Sequence, residues 1–142
     1  MSASEDKRRQ VVRDLERFFE SRRADEFACA YLFGSFARGS QRSNSDVDVA
    51  VLLEEDPSSA AGAFRLDLAD ELDAALGRGV DLVVLNRAPV DLIHRVLRDG
   101  ILVSENDRAA RIRFEVRARN EYFDLLPYLR EYRRTTSVQA HD

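Results

Sequence analysis

The sequence predicts an α/β domain, a small mixed β-sheet of about four strands flanked by helices, and three observations point to it. First, FACAYLF (27–33), DVDVAVLLE (46–54) and VDLVVLN (80–86) are short and largely apolar. Runs of that length, set off by turn-forming residues, suit strands covered on both faces. Second, the longer segments around them repeat their apolar residues at helical spacing. Third, the chain of 142 residues is long enough for one domain whose core needs no disulfide.

Taken in order, the elements begin with a helix over residues 4–23. Ser4 is its expected N-cap, Glu5 and Asp6 lie in the first turn, and Val11, Val12, Leu15, Phe18 and Phe19 form one stripe. The strand 27–33 ends at Gly34-Ser35, and FARGS makes a helical turn before the polar loop QRSNS. The strand 46–54 is broken by EDPSS, after which a helix over 58–76 carries Phe64, Leu68, Leu72 and Leu76 inward. GRG (77–79) stops it, and the strand 80–86 follows. Pro89 suits the first turn of a helix reaching Arg98, and GILVSE (100–105) reads as a short edge strand. A last helix over 107–132 places Ile112, Val116, Phe123, Leu126 and Leu129 on one face, with Pro127 expected to kink or end it. Residues 1–134 thus form one domain and 135–142 a flexible tail.

Composition excludes several classes. Hydrophobic residues make up 44% and charged residues 34%, as in ordinary water-soluble domains. A net charge of −4 argues against direct nucleic-acid binding, which needs a basic footprint. The longest apolar run is seven residues, too short for a membrane span. The first residues, MSASEDKRRQ, lack the apolar core of a signal peptide. Cys29 is the single cysteine, which suits a reducing compartment and a small core residue. A cytoplasmic location is the expectation.

The chemistry gathers where acids interrupt apolar strands. On a strand Asp46 and Asp48 point to one face, about 6.5 Å apart at Cα. At an effective dielectric of ~20 their repulsion is roughly 2.5 kcal/mol, and burial adds desolvation. No Lys or Arg lies between Ser43 and Phe64 to pair with them locally, although Arg38 or Arg42 can reach back. A hard divalent cation such as Mg²⁺ relieves the repulsion and keeps positions open for phosphate oxygens. The bland reading is a pair of strand-end acids in water. Three features weigh against it: Gly34-Ser35 at a helix start, where N–H groups and a hydroxyl can take phosphate oxygens; Asp81 opening another apolar strand; and Asn44-Ser45 in a turn that launches the acidic strand.

Gly34-Ser35, ten intervening residues and then Asp46-Val47-Asp48 resemble the G-S-x10-D-x-D motif of the DNA polymerase β-like nucleotidyltransferases. The stretch GSFARGSQRSNSDVDVAVLL is most similar to their minimal nucleotidyltransferase branch, and the whole chain, with its closing helix, resembles the MntA-type antitoxins of HEPN–MNT toxin–antitoxin pairs. The resemblance implies a nucleotidyltransferase fold and two Mg²⁺ ions. Asp46 and Asp48 would ligate both, and Asp81 would complete one site and favour deprotonation of the acceptor hydroxyl. It also implies ATP as substrate, with Gly34 and Ser35 on its β- and γ-phosphates and Ser45 as a further nucleotide-binding candidate. Arg38, one turn beyond Ser35, can reach the triphosphate, or be a plain surface arginine.

The function implied is AMP transfer to a tyrosine hydroxyl of a HEPN ribonuclease toxin, which would be silenced within a hetero-oligomer. Two alternatives stay open: a small-molecule nucleotidyltransferase of the aminoglycoside-modifying kind, and an antitoxin that acts by binding alone. Elsewhere, His94 reads as a boundary residue, Arg42 as a solvated loop residue, and Tyr122, Tyr128 and Tyr132 as packing or interface residues. The arginines of the last helix read as a solvated face or one for an acidic partner.

Overall fold

The computed structural model describes residues 2–21, 26–54 and 61–140. The chain runs α1 (Ala3–Glu20), β1 (Phe27–Phe33), α2 (Gly34–Arg38), β2 (Val47–Leu53), α3 (Ala61–Leu76), β3 (Val80–Val84), a single 3-10 turn (Leu85–Arg87), α4 (Val90–Asp99), β4 (Ile101–Glu105) and α5 (Arg108–Ala140). The strands stand in the order β3-β2-β1-β4. β1 is antiparallel to both β2 and β4, and β2 is parallel to β3, so the sheet is mixed and β4 is an edge. Among the described residues, no helix is long and apolar enough to cross a membrane.

The continuous apolarity of β1 has a direct cause, because helices cover both faces of the sheet. Val11, Leu15 and Phe19 of α1 and Leu68 and Leu72 of α3 pack on Phe27, Leu32, Val47, Val49, Val51 and Leu82. On the opposite face Ile93 and Val96 of α4 and Phe114 and Ala118 of α5 pack on Cys29, Tyr31, Ala50 and Leu52. Strand alternation therefore turns the valines of β2 towards α1 and α3, and sends Asp48 and its same-parity neighbours to the face of α4 and α5.

Burial pushes the Cys29 thiol up to about 12, well outside the range in which thiolates form at neutral pH. Native protein is therefore expected to resist a thiol-specific reagent at pH 8 and to label at its unfolding rate. Rapid stoichiometric labelling in the absence of denaturant would contradict this packing.

Several expectations need correction. The N-cap is Ser2, whose Oγ accepts the Glu5 N–H at 3.2 Å, while Ser4 lies inside the first turn. Ser2 has the extended backbone of a cap residue, φ −71° and ψ 159°, whereas Ser4 is already helical. α5 does not end at Pro127 but continues as backbone helix to Ala140, through residues expected to begin the tail. Phe123, whose carbonyl loses its partner at the proline, is 64% exposed, so water can serve that carbonyl. The inward face of α5 is also a different one. Ile112 and Val116 are 42% and 50% exposed, whereas Phe114 and Ala118 are buried. Helical spacing reveals stripes but does not choose between two of them. Here the contact with β1, including the Tyr31 hydroxyl donated to Glu115 at 2.6 Å, selects the face. Residues 22–23, 58–60 and 141–142 and the side chain of Phe64, all covered by the expectations above, lie outside what is described.

Candidate active site

The site is built where β1 ends and β2 and β3 begin. Gly34 follows β1 with φ +71°, in the left-handed region that favours glycine. A Cβ placed on it would lie 2.1 Å from Asp48 Oδ2, so the backbone and the carboxylate are in close contact. Gly34 thus serves by conformation and by the absence of a side chain. α2 then runs through Ser35 to Arg38. Arg8 of α1 donates from Nε to the Phe36 carbonyl at 2.8 Å and from Nη2 to the Ala37 carbonyl at 2.9 Å, which ties the turn to α1.

Asp48 faces Asp81 in the parallel register of β2 and β3, and Asp46 stands two residues before it. Leu82 points into the α1/α3 core, so alternation puts Asp81 on the face that Asp48 occupies. The carboxyl of Asp48 is held above the ordinary carboxylate range, first by burial, then by Asp81 and Asp46, with Arg38 pulling the other way. Asp46 meets the second close glycine: a Cβ on Gly79 would lie 2.7 Å from its Oδ1.

The three acids share an edge without forming a closed ligand set. Among the described residues, no three His, Cys, Asp or Glu side chains are gathered tightly enough to hold an ion as they stand. Asp48 leans to Gly34 and Asp46 to Gly79, and spreading lowers their mutual repulsion. Their chemistry nevertheless fits Mg²⁺. The donors are carboxylate oxygens on one face of adjoining strands, and the half-buried Asp48 is opposed by two like charges.

Beside Asp48 lies a recess of about 310 Å³, lined by Phe33, Gly34, Ser35, Arg38, Asp48, Leu92, Arg95 and Asp99. Sequence reasoning missed the last three. They sit at one-turn spacing on α4, and no local signal says that this side of an amphipathic helix turns towards Gly34. Asp99 is gripped by Arg98 at 2.9 and 3.1 Å, which holds its carboxyl below the usual range, and Arg38 adds to this at longer reach. Arg38 and Arg95 form no ion pair among the described residues, so both are available to an anion in the recess. Ser45 is not part of its lining. Its hydroxyl accepts the Arg42 N–H at 2.8 Å and closes the loop that launches β2. His94 stacks on Tyr122 of α5, with centroids 3.6 Å apart. Of the arginines on α5, Arg111 pairs with Glu105 and Glu115, Arg119 with Glu115, Arg133 with Asp91 and Arg134 with Glu131.

Comparison with known proteins is consistent with this geometry. The family model described as Polymerase beta, Nucleotidyltransferase matches residues 13–109. Protein adenylyltransferase MntA of Shewanella oneidensis is 43% identical over 70 residues, 49% of this chain and 48% of that protein. The match therefore spans about half the length of this relative. Protein adenylyltransferase MntA of Thermococcus cleftensis is 38% identical over 72 residues, 51% of this chain and 70% of that protein. A crystal structure of a toxin–antitoxin with AMP-PNP superposes with a TM-score of 0.66 at 28% identity, covering 94% of this chain and 98% of the other.

Proposed function

The chain belongs to the polymerase beta nucleotidyltransferase family, and on that footing we propose that it transfers AMP from ATP to a tyrosine hydroxyl of a cognate HEPN-type ribonuclease toxin. The observation that carries this reading is the parallel register of Asp48 and Asp81, with Asp48 against the Gly34–Ser35 turn. The names of both adenylyltransferase relatives support it, as does the toxin–antitoxin neighbour with an ATP analogue.

In this reading Asp46, Asp48 and Asp81 would hold Mg²⁺, which when bound supplies neutralisation of the triphosphate and acidifies the attacking hydroxyl. Ser35 and the N–H groups of the turn orient the phosphates, with Arg38 balancing their charge. The acceptor oxygen bonds to the α-phosphorus, the bond to the β-phosphate oxygen breaks, and pyrophosphate leaves. Asp81, exposed at the start of β3, would favour deprotonation of the acceptor hydroxyl. Ser45, whose hydroxyl accepts the Arg42 N–H and keeps its own proton to donate, would be a further contact to the nucleotide. An added AMP brings bulk and negative charge to a ribonuclease surface that must itself bind RNA phosphates, and so silences it. Residues 1–134 are the domain that does this, in the cytoplasm, where ATP is at hand and the single Cys29 stays reduced.

The test is incubation with Mg²⁺ and labelled ATP, with and without the HEPN partner. Label on a partner tyrosine is the expected outcome. Label on an added aminoglycoside instead, or a stable complex with no label in any arm, overturns the proposal in favour of a small-molecule enzyme or a binding-only antitoxin.

A further inference from the structure

A second recess, of about 490 Å³, shares no lining residue with the one at Gly34–Ser35 and is lined by Lys7 of α1, Arg42 of the loop and Arg78 before β3. No acid lines it, and none of the three cations is in an ion pair among the described residues. This departs from the rest of a chain whose net charge is −4. It differs also from α5, where Arg111, Arg119, Arg133 and Arg134 are each matched with an acid. The recess is built into the fold. Gln41 Nε2 donates to the Ser4 carbonyl at 2.6 Å and fastens the loop to the start of α1. The Arg78 guanidinium rests 5.2 Å from the Phe36 ring centroid, with Nη1 3.5 Å from the Ser45 carbonyl. Arg78 is followed by Gly79, whose backbone lies against Asp46, so one wall of the recess is a single residue from the acids' edge.

We propose that this recess receives an acidic stretch of the acceptor protein, next to the hydroxyl that is modified; the proposal rests on the transferase reading above. Arg38 and Arg95 stand on the nucleotide's side of Asp48, so a second group of free cations is left for the other substrate. The three come from separate elements around an open hollow and do not converge on a glycine-rich turn of N–H groups. That arrangement suits several carboxylates spread along a chain better than one compact phosphate. Cations on the rim of such a surface act on partner choice and on encounter rate, and salt weakens them.

The test uses the exposed pair, as Lys7→Ser/Arg42→Ser, with the HEPN partner as acceptor and intact-mass detection of product. The expected result is a rise of about tenfold in KM for the partner, with kcat and KM for ATP unchanged. The salt dependence of the partner's KM should also be shallower than in wild type. An unchanged KM for the partner overturns the proposal, as does a rise in KM for ATP, which would assign the recess to the nucleotide. A variant that adds the first AMP normally and loses later ones overturns it too, since the ligand is then a phosphate already on the acceptor. Wild-type protein that labels nothing brings down the transferase reading beneath it, a failure distinct from the others.

Discussion

Asp48→Asn is expected to abolish AMP transfer, by on the order of a thousandfold or more, while making the metal-free protein more stable. The two effects have one cause. Asp48 is half-buried beside Asp81 and Asp46, and all three influences disfavour its charge. Evolution towards stability alone would remove such a carboxylate; the proposed metal site would keep it. The sign with pH follows. A carboxyl raised above its unfolded value costs stability at neutral pH, where it is ionised, and the cost fades as pH falls through its raised pKa and the group protonates. The stabilisation by asparagine should therefore be largest near neutrality and vanish in acid. Chemical denaturation in chelator at several pH values, beside a transfer assay, checks both halves. A variant that is inactive but less stable than wild type at pH 7 would mean that Asp48 serves the fold.

Gly34→Ala should damage the protein from the backbone side. An alanine at φ +71° costs roughly 1–2 kcal/mol by itself. Its methyl would also stand 2.1 Å from Asp48 Oδ2, so either the carboxylate or the turn must move. We expect a loss of about 2 kcal/mol in stability and a loss of transfer approaching that of Asp48→Asn. The clash is separable from the dihedral cost: in an Asp48→Ala background the destabilisation by Gly34→Ala should shrink towards the dihedral cost alone. Equal losses in both backgrounds would show that the contact between the two residues carries no energy.

The acids themselves were legible because they break a local rule: Asp46, Asp48 and Asp81 sit in or beside strands that are otherwise apolar, and strand alternation has a period that can be counted by hand. Gly34-Ser35 was legible through its spacing from them. Arg95 and Asp99 were not, because an amphipathic helix announces only that one side is wet. The turn at Asn44-Ser45 that launches the acidic strand was also legible, and the structure adds that the Ser45 hydroxyl accepts the Arg42 N–H. The apolar residues of α5 misled for a related reason. Phe114 and Ala118 face the sheet while Ile112 and Val116 are exposed, and both sets recur at helical spacing.

Local pattern alone determined the strands and their flanking helices, the strand that carries the acids, and the glycine turn before them. Each depends on steric and hydrogen-bonding preferences that act within a few residues. Tertiary structure decided which helix faces meet the sheet, that Asp48 and Asp81 stand side by side, and that Lys7, Arg42 and Arg78 ring one hollow. Those outcomes depend on strand register and on how helices pack across the core, interactions between residues far apart in the chain that no single segment encodes.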